Sequence, residues 1–267
     1  MLQSSASLAA GSHWNRTLGI SSYTLLEAWR NRFPVLVLAV IAVLYVIGIF
    51  VRELAITEST QVQTGFIAAS ARLAAVFIVA LYVLQGLARE AQDKIAEIIF
   101  SLDLPRAVYV LGKFLGYAAL CAVVSAICAL PVLTVVPGGA ALAWSASLML
   151  ELWLVAAASV FCMVTFSQLL PAATFVAGFY LLGRSITAIQ LMSRSTLAGE
   201  DWGAQAAAFV ADMLAFLLPR LDAFTQTAWL LGTQSLPVTP VSLAIQVLVY
   251  VLLLLAAAMF DLYRRNF

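Results

Sequence analysis

The chain has 267 residues, of which 64% are hydrophobic and only 10% charged, and its net charge is +1. Its mean hydropathy is +1.02. A soluble domain carries about 25% charged residues, so a water-soluble fold is excluded and lipid must solvate part of the surface. The near-neutral charge also argues against a nucleic-acid partner, which needs a strongly basic face.

The first twelve residues are polar or small and carry no cleavable signal pattern, so the first span is expected to act as the targeting element. Leu18 to Arg32 reads as an amphipathic helix leading obliquely into the membrane. Trp14, Tyr23 and Trp29 suit the headgroup zone, and Thr24 to Glu27 has capping-box spacing.

A helix needs about 20 apolar residues to cross the hydrocarbon core. Runs of that kind are predicted over Phe33 to Val51, Phe66 to Ala88, Val108 to Val136, Ala141 to Phe166, Pro171 to Met192 and Val241 to Phe260. Pro131 is expected to kink or end the third, and Pro137-Gly138-Gly139 to form a turn. Ala204 to Leu218 is apolar but short, contains Asp212 and stops at Pro219, so it reads as re-entrant or interfacial. Asp212 is expected to cap that segment or to pair with Arg220 or Arg194.

The expected fold is all-α: six transmembrane helices in one domain, 1–267. Residues 1–32 form the cytoplasmic N-terminus and amphipathic helix, 89–106 a cytoplasmic loop and 193–240 an extracytoplasmic re-entrant region. Orientation follows the lysines and arginines. With the N-terminus inside, nine lie on the cytoplasmic side (Arg16, Arg30, Arg32, Arg89, Lys94, Arg106, Lys113, Arg264, Arg265). Five lie on the outer half (Arg52, Arg72, Arg184, Arg194, Arg220), so both termini are placed inside.

Arg89 to Phe114 reads REAQDKIAEIIFSLDLPRAVYVLGKF. Ile95, Ile98, Ile99 and Leu102 recur at helical spacing, and Glu90, Asp93, Lys94 and Glu97 make the opposite face. Leu104-Pro105 ends this helix, because a residue before proline avoids the α region, and a new helix then runs into the third span. Pattern alone gives a short helix along the cytoplasmic surface, which also fits a simple linker.

No energy-converting site is legible. A P-loop needs GxxxxGK[ST]. Here Gly112-Lys113 is followed by Phe114, and Ala107 stands where the first glycine belongs. Gly112 reads instead as a helix-packing residue. His13 is the single histidine and lies near the terminus, and Cys121, Cys128 and Cys162 sit in apolar runs. No catalytic constellation, metal site or cofactor site is predicted in the chain.

Charges at membrane depth are costly. Arg72 falls in the second predicted span, Glu151 near the middle of the fourth and Arg184 in the fifth. Counting 1.5 Å per residue, Glu151 and Arg184 differ in depth by only about 5 Å, which an arginine can bridge. They form either a structural ion pair or the wall of a transport path where Arg72 or Arg184 attracts an anionic headgroup or acid. Gln85, Gln168 and Gln190 suit hydrogen bonds between helices.

The loop resembles that of the type-2 ABC exporter permease family. There an acidic residue follows the second span, then a short helix with a glutamate, a proline-arginine turn and a glycine-lysine pair. Glu90, Glu97, Pro105, Arg106, Gly112 and Lys113 are the matching positions, with Ile95-Ala96 where the family usually has glycine-threonine. The amphipathic N-terminal helix and the short apolar segment before the last span match the family layout.

The resemblance implies a permease of a bacterial plasma membrane that forms a dimer, a homodimer on the simplest reading, with the substrate path between the copies. A separate ABC ATPase subunit would hold ATP and Mg and push on the loop helix as a coupling helix. Its contacts would be Glu90, Asp93, Lys94, Glu97, Asp103 and Arg106. A variant of this reading transmits force to an extracytoplasmic partner without moving substrate. A gradient-driven secondary carrier relying on Glu151 is the alternative from another class, and a scaffold without transport is a third.

Overall fold

The structure, a computed structural model, describes residues 2–54, 58–93, 105–136, 138–193, 202–232 and 240–264. In chain order the helices are α1 (Leu2–Arg30), α2 (Phe33–Leu54), α3 (Ser59–Gln92), α4 (Arg106–Val135), α5 (Gly139–Phe166), α6 (Leu169–Ser193) and α7 (Trp202–Leu217). A 3-10 turn (Leu221–Ala223), α8 (Thr227–Leu230) and α9 (Pro240–Arg264) follow among the described residues. The described regular structure is all helical. Among the described residues six helices, α2 to α6 and α9, are long and apolar enough to cross a membrane, the architecture of a polytopic membrane protein.

Short links make successive spans antiparallel. Val136 to Gly138 joins α4 to α5, and Ser167-Gln168, with Ser167 at φ 56°, joins α5 to α6. One end of the bundle therefore carries Leu54, Ser59, Val135, Gly139 and Ser193. The other carries Phe33, Gln92, Arg106, Phe166, Leu169 and Arg264. The 34 residues of α3 give a length of about 51 Å, well beyond a hydrocarbon core of about 30 Å.

The centre is α5, which packs against α3, α4, α6 and α9. Ala156, Ala157, Ala158 and Ser159 on it are buried, and such small side chains let neighbouring backbones approach. By contrast α2 buries only Phe33, Val37, Ile41 and Gly48, a stripe at near-helical spacing, and exposes Val35, Val43, Val46 and Phe50. That outward apolar surface is what a span at the edge of a bundle presents to lipid.

Two expectations change, the start of the first helix and the role of Thr24, and of the two outcomes expected at Pro131 the ending of the helix drops out. The N-terminal helix starts at Leu2 rather than near Leu18. Thr24 is therefore not a cap but an interior residue, and its hydroxyl donates back to the Ile20 carbonyl at 3.0 Å. The aromatics of α1 do lie outward: Trp14, Tyr23 and Trp29 are all exposed. Pro131 does not end α4, which runs one further turn to Val135, where Thr134 Oγ1 donates to the Pro131 carbonyl at 2.7 Å. As expected, α4 begins immediately after Pro105.

Candidate functional site

Among the described residues, two clusters of charged side chains lie inside the bundle. The first is at the end where α3 stops and α4 starts. Glu90 is buried on α3 and forms an ion pair with Lys113, which is also buried. Its other oxygen accepts a 2.7 Å hydrogen bond from Tyr109 Oη. Lys113 and Tyr109 lie four residues apart on α4 and so share a face. Stripped of partners, either charge would be costly here.

Alongside, α1 lies across the first turns of α4. A Cβ added at Gly112 would sit 2.9 Å from Ile20 Cβ, and one at Gly116 would sit 2.7 Å from Thr24 Cβ. Only glycine admits this approach, so Gly112 is a helix-packing residue. Arg106, at the start of α4, donates to the carbonyls of Leu262 at 2.6 Å and Tyr263 at 3.3 Å and stacks over the Tyr263 ring. The two flanks of the 94–104 segment are thus fastened, one to the other through Glu90 and Lys113, and the second also to α9. Asp93 is exposed at the end of α3. Lys94, Glu97 and Asp103 lie outside the described residues.

The second cluster is built around Glu151, which is fully buried on α5. Glu151 Oε1 accepts from Tyr180 Oη at 3.0 Å and lies 3.5 Å from Arg184 Nη1. Its Oε2 accepts from Thr225 Oγ1 at 2.7 Å. Arg184 Nη1 also reaches the carbonyls of Leu221 at 2.7 Å and Phe224 at 3.0 Å. Tyr180 and Arg184 are four residues apart on α6 and face α5 together. Arg72 of α3 donates from Nη1 to the Thr225 carbonyl at 3.3 Å.

Thr225 is where these helices meet. Its φ is 47°, unusual for a β-branched residue. Such a conformation costs on the order of 1–3 kcal/mol and persists only where its surroundings enforce it. Here they do: its amide donates to Ser147 Oγ at 3.0 Å, and its carbonyl and hydroxyl are held by Arg72 and Glu151. Upstream, Leu221 packs where a Cβ at Gly183 would come within 3.0 Å of Leu221 Cδ1 and 3.2 Å of the Pro219 carbonyl.

The 218–225 segment therefore enters the bundle. Glu151 is twelve residues from Gly139 and Arg184 nine from Ser193, depths of about 18 and 13 Å below that end. A chain segment without regular helix at such depth must have its backbone groups satisfied by protein. Arg184, Arg72 and Ser147 supply those partners. The preceding helix, α7, packs on α6, where Gln190 Nε2 donates to Asp212 Oδ1 at 2.9 Å. That is the contact between helices expected of Gln190, and it supplies a partner for Asp212 that the sequence did not suggest.

The three charges picked out at membrane depth, Arg72, Glu151 and Arg184, are thus brought together. Tyr180, Ser147 and Thr225 were missed. Tyr180 could have been found from its spacing to Arg184, whereas nothing local marks Thr225 or Ser147. Chemically the cluster holds charge and positions a loop. No protein-family profile matches the chain, and no curated protein matches its sequence, so the functional reading rests on its own residues.

Proposed function

We propose that the chain is the membrane-spanning permease subunit of an ABC exporter, driven by a separate ATPase subunit. Its observational support is the fastening of both flanks of the 94–104 segment. Glu90 and Lys113 join α3 to α4, and Arg106 joins α4 to α9. A load applied to that segment would reach three spans at once instead of bending a loose loop. The contacts to the ATPase would come from Asp93, Lys94, Glu97 and Asp103. Glu90, being buried, and Arg106, being bound to α9, would position the loop. The ATPase would bring ATP and Mg. Two copies would enclose the path, the cytoplasmic face would carry both termini, and 193–240 would form the extracytoplasmic re-entrant region.

The test is affinity purification of the tagged chain from native membranes in mild detergent, beside Glu97→Arg. The proposal expects an ATP-binding subunit to come down with the wild type and to be absent or strongly depleted with the variant. Its absence from both contradicts the proposal. A gradient-driven carrier has less in its favour, because Glu151 is committed to Tyr180, Thr225 and Arg184. Transmission of force to an extracytoplasmic partner uses the same fastened loop and differs only in what moves.

A further inference from the structure

The outward face of α1 carries charge and apolar surface together. Thr17, Thr24 and Ala28 are buried and mark the stripe turned into the bundle. Trp14, Leu18, Tyr23, Leu26 and Trp29 are exposed on the rest of the helix, and so are Arg16, Arg30 and the adjoining Arg32. Among the described residues none of these arginines forms an ion pair, and the polar tips of Trp14, Tyr23 and Trp29 have no hydrogen-bond partner. Glu27 is the single acid on α1 and is half-buried. The exposed face is therefore cationic.

Contacts with α4 fix the depth of this face. A Cβ at Gly112 would sit 3.1 Å from the Thr17 carbonyl, and one at Gly116 would sit 3.0 Å from the Ser21 carbonyl. Four residues along α1 thus match four along α4, and the two helices advance together. Arg106 and Lys113 are the charged residues of α4, and both precede Gly116. From Gly116 to Val135 the helix is uncharged, a stretch of about 30 Å that matches the hydrocarbon core. The docked part of α1 therefore lies where that core gives way to headgroups.

At that boundary aromatic side chains with polar tips, apolar chains that reach inward and cations that meet phosphate are all accommodated at once. We propose that the outward face of α1 binds anionic phospholipid of the leaflet at that end. Arg16, Arg30 and Arg32 meet the headgroups, and Trp14, Leu18, Leu26 and Trp29 rest among the upper acyl carbons. Selection of anionic over zwitterionic lipid follows from three guanidiniums set against one half-buried carboxylate. A water-soluble acidic partner would meet the arginines from the aqueous side and leave the apolar residues uncovered. The inference does not depend on the permease reading.

The experiment uses the full chain, without any ATPase, in nanodiscs of four parts phosphatidylcholine to one part phosphatidylglycerol. One lipid or the other carries bromine near the headgroup end of its acyl chains. Quenching at Trp14 and Trp29 is read as the difference between the wild type and the double variant Trp14→Phe, Trp29→Phe. One arginine near an anionic surface corresponds to about fivefold in local lipid enrichment. Per mole of lipid, brominated phosphatidylglycerol is expected to quench these two residues more strongly by about that factor or above. Changing Arg16, Arg30 and Arg32 together to Gln should bring the ratio to about one, and changing all three to Lys should keep it raised. Equal quenching by the two lipids in the wild type, a preference that survives the glutamine changes or is lost with the lysine changes, or quenching by neither lipid would each overturn the proposal. The last result would show a face covered by protein or turned to water. Should the glutamine variant fail to fold, the wild-type ratio decides alone.

Discussion

Thr225 Oγ1 donates a 2.7 Å hydrogen bond to Glu151 Oε2 across 74 positions of sequence. The bond joins a strained loop residue to a fully buried carboxylate, and through it the 218–225 segment is held against α3, α5 and α6.

Substitutions at Thr225 should rank by strain and hydrogen bonding together. Thr225→Val keeps the branched shape at φ 47° but leaves Glu151 short of a donor, so it should be the most destabilising. Thr225→Gly removes the hydroxyl yet relieves the backbone, and should be milder than Thr225→Ala by about 1 kcal/mol. Thermal melts in detergent give the order. A Val variant as stable as the wild type would show that the hydroxyl is not engaged.

Glu151→Leu removes the acceptor of Tyr180 and Thr225 and the countercharge of Arg184. Breaking a buried pair from one side costs on the order of 3 kcal/mol. Glu151→Gln keeps an acceptor and should lose markedly less. A double change, Glu151→Leu with Arg184→Leu, should cost less than the sum of its singles. Additive losses would mean that the pair is not coupled.

At the other end, Lys113→Met leaves the buried Glu90 carboxylate without its ion-pair partner. Adding Glu90→Gln should restore part of the stability, because the neutral amide needs no countercharge and still accepts from Tyr109. Melting temperatures of the two singles and the double measure this. A double variant worse than both singles contradicts it.

Gly116→Ala forces a Cβ to within 2.7 Å of Thr24 Cβ. Overpacking of this kind costs about 1–3 kcal/mol, and the strain is expected to release α1 from α4. Trypsin cleavage near Arg30 in detergent should then accelerate relative to the wild type. Unchanged cleavage would indicate that α1 shifts without undocking.

Much of this architecture is written locally. The six spans follow from apolar run length, and the meeting of Glu151 with Arg184 follows from counting their depths along neighbouring helices. The start of α4 was legible because Pro105 dictates it. What was not legible depends on tertiary contact. The region before Leu18 is too polar to read as helix, yet α1 extends through it to Leu2. The burial of Glu90 was hidden because its helical spacing to Asp93, Lys94 and Glu97 suggests a solvated face, and only the closeness of Lys113 and Tyr109 reverses that. Thr225 carries no local signal, since its backbone geometry is imposed by partners on α3 and α5.

The central claim is that the segment after α3 receives force from an ATPase. The direct measurement is photo-crosslinking in native membranes with p-benzoylphenylalanine in place of Glu97. The account predicts an adduct with an ATP-binding subunit, identified by mass spectrometry, whose yield changes when nucleotide is trapped with vanadate. Adducts with lipid or with the chain itself alone, at position 97 and again at 93 and 103, would contradict it.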